Sequence, residues 1–179
     1  MIGYSSGCKR KRRRGCVGGR SPLLHSMVQT HERLYRSTDI ARIDLAVYLS
    51  EICADLNDLA PQCQVIFEAS GPMLIETDKA IRLALITTEL VTNAIKYAYP
   101  LDTKGPVSVR LTRGLENAVR ISILDEGTGL AEGDAIEKST GFGIRMSLAL
   151  VEQIGATLKV ARHSPGTEFL MDIPLHAIE

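Results

Sequence analysis

The stretch from Thr77 to Ala98 constrains the fold of this chain more than any other. It reads as one long helix, with Thr77 as N-cap, Asp78 in the first turn and Pro100 just beyond its end. Apolar residues such as Ile81, Leu83, Ile86, Leu90, Val91 and Ile95 cover most of its circumference, and a helix apolar on most sides is normally buried. Glu89, Asn93 and Lys96 nevertheless recur at i, i+4 and i+7, within roughly 60° of one another at about 100° per residue. They span roughly 10 Å of axis, a length comparable to an extended triphosphate. An acid, an amide and an amine on a buried helix are costly if left unpaired. The line is either the solvated stripe of a core helix or one wall of a cleft with polar contents.

The segments around this helix set the fold class. Cys63–Ala69 alternates as a strand through Val65 and Phe67, Ser70-Gly71-Pro72 turns the chain, and Met73-Leu74-Ile75 is a short second strand. After the helix, Val107, Val109 and Leu111 alternate in one strand and Val119, Ile121 and Ile123 in the next, with Arg113–Asn117 as a hairpin between them. The second strand runs into Asp125-Glu126-Gly127-Thr128-Gly129-Leu130. A polar loop then leads to Gly141-Phe142-Gly143 and a helix to Ile154, closed by Gly155. Thr157–Ala161 and Glu168–Ile173 form a final strand pair around Ser164-Pro165-Gly166. Helices separated by hairpins imply an α/β (α+β) two-layer sandwich, a mixed and mostly antiparallel sheet with helices on one face. A dinucleotide-binding βαβ unit is disfavoured, because the glycine pair follows a long loop and has no suitable acid downstream.

Upstream, Ser21-Pro22 starts one amphipathic helix, which ends near Arg36. Ile43-Asp44-Leu45 opens another, with Leu45, Tyr48, Leu49, Ile52, Cys53 and Leu56 as its stripe. This divides the chain into a basic leader (1–20), a helical segment (21–60) and a mixed body (61–179). The formal net charge of zero is misleading. Residues 1–20 hold seven basic residues and no acid, leaving 14 basic against 21 acidic in the rest. A body that acidic is a poor nucleic-acid binder. No apolar run is long enough to span a membrane, and no apolar stretch follows the basic run as a secretory signal requires. Cys8, Cys16, Cys53 and Cys63 show no zinc-type spacing, so reduced thiols and a cytoplasmic location are expected.

Taken singly, the downstream motifs are weak. Asp125-x-Gly127-x-Gly129 ends a strand, so the carboxylate can point into a cleft while the glycines permit close ligand approach. Acidic turns with two glycines are nonetheless common. Gly141-x-Gly143 opens a helix whose free N–H groups suit phosphate, yet such pairs often serve only packing. Gly166-Thr167 alone is a hairpin turn.

In the order Glu89…Asn93…Lys96, Asp125-x-Gly-x-Gly, Gly141-x-Gly, Gly166-Thr167, the motifs resemble the ATPase fold shared by gyrase, Hsp90, histidine kinases and MutL. The resemblance covers residues 63–175. Glu89–Ala98 resembles the N box of bacterial sensor histidine kinases. His31-Glu32-Arg33-Leu34-Tyr35-Arg36-Ser37 and Asp44-Leu45-x-x-Tyr48-Leu49 look like the second helix and connector of the HisKA_2 type. HWE kinases are a poorer match, since Thr88 stands where they carry His and the chain has no Trp.

The resemblance implies ATP and Mg²⁺ as ligands. Asn93 would coordinate the metal, Glu89 would act beside it as base or water-orienting group, and Lys96 would meet phosphate. Asp125 would accept from the adenine amino group, Gly129 would line the base pocket, Gly127 would also belong to the ATP site, Gly141 and Gly143 would bound a lid, and Thr167 would support the adenine end. A homodimer through residues 22–59 and a response regulator are the implied partners.

The N-terminus departs from the family. No His-Arg-x-Lys-Asn-Asn type acceptor motif is present, and none of His25, His31, His163 and His176 resembles a phosphoacceptor. The junction near Ser21 is expected to be a truncation before the second dimerisation helix, leaving ATP binding without a histidine to receive the phosphoryl group. The alternatives are an anti-sigma-type serine kinase on the same fold, which the two helices argue against, and a non-catalytic ATP-binding regulatory module.

Overall fold

The long helix forms, and the rest of the chain is arranged against it. The structure is a computed structural model that describes residues 41–60, 63–99, 103–114, 118–129, 142–163 and 165–175. The basic leader, the helix beginning at Ser21, His25, His31, His176, Gly141 and the loop 130–141 lie outside the described residues. In chain order the elements are β1 (Arg42–Asp44), α1 (Leu45–Leu59), β2 (Cys63–Ala69), β3 (Leu74–Glu76), α2 (Thr77–Tyr97), β4 (Gly105–Arg113), β5 (Ala118–Asp125), α3 (Phe142–Gln153), β6 (Thr157–Arg162) and β7 (Thr167–Pro174).

A five-stranded sheet in the order β2-β4-β5-β7-β6 carries the fold, and β1 pairs with β3 in a separate two-stranded piece. β2 and β4 are parallel, with α2 inside the crossover that such a pair requires, and every other neighbour is antiparallel. The mixed, mostly antiparallel sheet is therefore as the sequence implies. Its helix-facing rows are apolar: Val107, Val109 and Leu111 of β4, Val119, Ile121 and Ile123 of β5, and Met171 and Ile173 of β7 are all buried. The opposite rows carry polar pairs such as Arg110–Glu68 and Arg120–Asp172. This period-two alternation is what a sheet covered on one face demands. With no Trp and few aromatics, the core is aliphatic. Cys53 and Cys63 are buried free thiols, and burial pushes the Cys53 thiol up to about 12, which keeps it protonated and unreactive.

The structure corrects two local expectations. Thr77 is not the N-cap of α2. It is the first helical residue, preceded by Glu76, whose side chain makes no capping bond. The Thr77 N–H instead donates to the Ala41 carbonyl at 3.3 Å, because β1 runs alongside β3 there. Ile43 and Asp44 do not open α1 but end β1, a strand too short to show alternation in sequence. Asp44 then caps α1: its Oδ1 accepts from the N–H of Ala46 and also from the N–H of Met73, so one carboxylate fixes both the helix start and the turn before β3.

The stripe of α1 is as read, since Leu45, Tyr48, Leu49, Ile52, Cys53 and Leu56 are its buried residues. They belong to the same core as Leu83, Leu90 and Val107. The hydrophobic interior therefore runs continuously across residue 60.

Candidate functional site

Two groups of side chains stand along one edge of the fold, joined by the C-terminal end of α2. The first lies on α2 itself. Asn93 Nδ2 donates to Glu89 Oε1 at 3.2 Å in a half-buried setting. That bond is the one expected between an amide and an acid four residues apart on a helix. It fixes the amide and leaves Asn93 Oδ1 free of this contact. Gly143, in the first turn of α3, approaches the same carboxylate so closely that a Cβ there would lie 1.8 Å from Glu89 Oε1. Glycine at 143 thus lets the start of α3 reach Glu89. Gly143, from the glycine pair of the sequence, is brought to Glu89 and Asn93, two members of the polar line on the helix. Lys96 lies exposed in the last turn of α2.

The second group lies at the end of β5. Asp125 is the last residue of that strand and faces the helix side, paired with Val107 on one flank and Thr167 on the other. It is 5% exposed. Its carboxylate accepts from the Gly127 N–H at 3.0 Å and from the Thr167 backbone N–H. Burial raises its pKa above the usual carboxylate range, and the two backbone donors offset this in part. A carboxylate has about four acceptor positions, so capacity remains for a ligand donor. Thr167 itself is buried.

Glycines determine how the loop after Asp125 reaches α2. A Cβ on Gly127 would fall 2.1 Å from the Ala98 carbonyl oxygen, and the next N–H, that of Thr128, donates to this oxygen at 2.8 Å. The Ala98 carbonyl belongs to the unsatisfied end of α2, so the loop caps the helix. Gly129 has φ +71° and abuts the Gly166 carbonyl, while Gly166 has φ +107° and abuts the Asp125 carbonyl. The two turns interlock, and Asp125, Gly127, Gly129 and Thr167 come together. From Glu89 to Ala98 is roughly 13 Å at about 1.5 Å per residue, a span from one polar group to the other.

Tyr99 was not singled out by the sequence. Its hydroxyl accepts from the Glu126 N–H at 3.0 Å and donates to the Pro106 carbonyl at 2.5 Å. Only its position straight after the long helix could have signalled it. His163 is exposed and pairs with Glu168 at 3.0 Å beside the β6–β7 turn.

The donor set fits Mg²⁺ and a nucleotide. Among the described residues no cluster of three or more His, Cys, Asp or Glu could hold a metal by itself. Mg²⁺ keeps several waters and binds through one or two protein oxygens plus substrate phosphates, which Asn93 and Glu89 can supply. No helix among the described residues is long and apolar enough to cross a membrane.

Known proteins resemble this chain over most of its length. The family model described as histidine kinase-, DNA gyrase B-, and HSP90-like ATPase matches residues 78–177, and the HisKA_2 histidine kinase model matches residues 21–60. The chain is 28% identical over 170 residues to blue-light-activated histidine kinase 2 of Erythrobacter litoralis, covering 90% of this chain and 49% of that protein. It is also 28% identical over 175 residues to the sensor histidine kinase PdtaS of Mycobacterium tuberculosis, covering 92% and 34% respectively. It thus spans half or less of these relatives. Among solved structures, the histidine kinase domain of the Erythrobacter litoralis EL346 blue-light-activated kinase superimposes with a TM-score of 0.75 at 27% identity, covering 87% of this chain and 80% of that one.

Proposed function

We propose, from the premise that this chain belongs to the histidine kinase-, DNA gyrase B- and HSP90-like ATPase family and carries a HisKA_2-type segment ahead of that domain, that it is the ATP-binding catalytic part of a two-component sensor histidine kinase. The observation that carries this reading is the buried Asp125 carboxylate, held by two backbone N–H groups with acceptor capacity to spare, at the opposite end of α2's last turns from the Glu89–Asn93 pair. A base with an exocyclic amino group suits the first, and a metal–phosphate group suits the second.

Asp125 would accept from the adenine amino group, with Gly127, Gly129 and Thr167 shaping the wall around it. Asn93 would hold Mg²⁺, which when bound supplies charge neutralisation to the phosphates. Glu89, fixed by Asn93, would orient or deprotonate the attacking group. Lys96 would meet phosphate from its exposed position, and Gly141 and Gly143 would bound a lid beside the phosphates, Gly143 from the first turn of α3. The γ-phosphoryl group would pass to a histidine. Transfer of this kind needs positioning and electrostatic stabilisation more than covalent participation by the domain. Among the described residues only His163 is a histidine, and it lies in the β6–β7 connection paired with Glu168, outside any acceptor-type motif.

A response regulator would receive the phosphoryl group, and a cytoplasmic site would supply the ATP. A homodimer through residues 22–59 would have to use residues 22–40 and the outer face of α1, where Val47 is 55% exposed, because the apolar stripe of α1 is already consumed by the chain's own core. The HisKA_2 match favours this reading over a serine kinase or a non-catalytic module.

Titration with a fluorescent ATP analogue, with and without Mg²⁺, tests the reading. Mg²⁺-dependent binding is expected, and Asn93→Ala should abolish the Mg²⁺-dependent part. Absence of binding at millimolar nucleotide, or an unchanged Asn93→Ala variant, would refute it. Incubation with labelled ATP then reads the chemistry, a phosphohistidine being labile in acid.

A further inference from the structure

We infer that Tyr99 is a positioning residue for base recognition, its hydroxyl carrying the last rung between β4 and β5 and so holding Asp125 in register with the nucleotide base. This inference rests on the proposed role of Asp125 and extends it to a residue outside the sequence motifs.

The register carries the argument. Val107 opposite Asp125 is the last pair of the β4–β5 ladder. One step further, Pro106 and Glu126 stand opposite each other. Proline has no N–H to give, so at most one backbone bond could join this pair. The Tyr99 oxygen stands between them, accepting from the Glu126 N–H at 3.0 Å and donating to the Pro106 carbonyl at 2.5 Å. It uses both hydrogen-bonding capacities of a phenol to relay the rung that the backbones do not make directly.

The sequence makes room for this arrangement. A Cβ on Gly105, the first residue of β4, would lie 2.0 Å from the Tyr99 ring. The hydroxyl end of the ring therefore reaches the strand start only because residue 105 is glycine. The neighbouring Ala98 carbonyl takes the Thr128 N–H. The loop Glu126–Thr128 is thus held to the end of α2 at two successive residues, Ala98 and Tyr99. Asp125 precedes that loop directly. Among the described residues its carboxylate accepts from the backbone N–H groups of Gly127, inside that loop, and of Thr167 on β7, so fixing the loop fixes one of the two donors that hold the carboxylate.

Loss of the hydroxyl should cost base recognition and leave phosphate recognition alone, because Glu89 and Asn93 lie on the rigid helix upstream. The probes are ATP and purine riboside triphosphate, which lacks the amino group that Asp125 would bind. The full chain should bind ATP more tightly. Tyr99→Phe is expected to weaken ATP by about tenfold, the scale of one well-placed hydrogen bond to a charged group, and to leave purine riboside triphosphate within about twofold. Gly105→Ala, which displaces the ring but keeps the hydroxyl, should collapse the same ratio, and it provides an independent variant if one of the two fails to fold. An unchanged ratio in both variants, or an equal loss for both nucleotides, overturns the inference. If the unmodified chain binds neither nucleotide, or both equally, the proposed role of Asp125 falls first and takes this inference with it.

Discussion

At the scale of single residues, Asp125 is where binding and stability oppose each other. Its folded pKa is raised, chiefly by burial. For such a group the stability it contributes relative to the unfolded chain is fully present below the unfolded pKa and is lost as pH rises through the folded pKa. The ionised carboxylate needed for an adenine amino group therefore works against the folded apo-protein at neutral pH. Asp125→Asn keeps an acceptor oxygen for the Gly127 N–H and removes the buried charge. Thermal unfolding of the apo-protein should move upward at pH 7 and less so as the pH is lowered, where the parent carboxyl is itself neutral. ATP affinity should fall by about tenfold or more, the weight of a charge-assisted hydrogen bond. A variant that loses affinity with no gain in stability at neutral pH would show that the two backbone donors already compensate the burial. Asp125 was legible from sequence because a strand ends on it and glycines follow. Tyr99 was not, because its partners are backbone atoms of Pro106 and Glu126, brought together only by the β4–β5 register.

Among elements, the turns do more than the strands to build the site. Gly166 and Gly155 both have positive φ, +107° and +64°. A Cβ on Gly155 would meet nothing within 4 Å, whereas one on Gly166 would sit 1.8 Å from the backbone oxygen of Asp125. Gly155→Ala should therefore cost only the left-handed backbone penalty, about 1 kcal/mol. Gly166→Ala should cost clearly more, about 3 kcal/mol or above, since backbone cannot yield as a side chain would. It should also weaken ATP by displacing Asp125. Denaturant unfolding of the two variants checks this, and equal costs would mean that the β6–β7 turn can swing away from β5. By contrast, the Arg120–Asp172 pair across β5 and β7 has contacts of 2.6 and 2.9 Å but half-exposed side chains. Its guanidinium holds the Asp172 carboxyl below the usual range. That stability is present above the unfolded carboxyl pKa and is lost as pH falls through the lowered folded value. Solvent screening keeps Arg120→Ala to within about 1 kcal/mol. Strands and helices were legible because period two and period 3.6 are written in one segment at a time. β1 was not, being three residues long and defined only by its pairing with β3. The N-cap of α2 was misassigned for the same reason, Thr77 being engaged by Ala41 across that pairing.

For the molecule as a whole, the continuity of the core across residue 60 decides how binding is felt. Leu45 and Leu49 of α1 are fully buried together with Leu83 and Leu90 of α2 and Val107 of β4. A helix buried in this way should open only when the sheet opens. Leu49→Ala should accordingly cost about 2–5 kcal/mol, the range for a leucine truncated in a packed interior, and should lower the stability of the whole body. The sharper consequence concerns ligand linkage. A ligand bound only by the folded state at about a hundred times its Kd adds about 2.7 kcal/mol to the global unfolding free energy. Amides that exchange through global unfolding must slow by the corresponding factor, about a hundredfold, wherever they lie. The α1 amides lie outside the proposed nucleotide site, so no local contact can protect them. If α1 shares one cooperative unit with α2 and the sheet, saturating ATP and Mg²⁺ should slow exchange at Leu49 and Ile52 as much as at Leu90 and Val91. Slowing confined to α2 and β5 would instead make α1 a separately opening unit, and the continuity of its side chains with the core would then be packing without cooperativity.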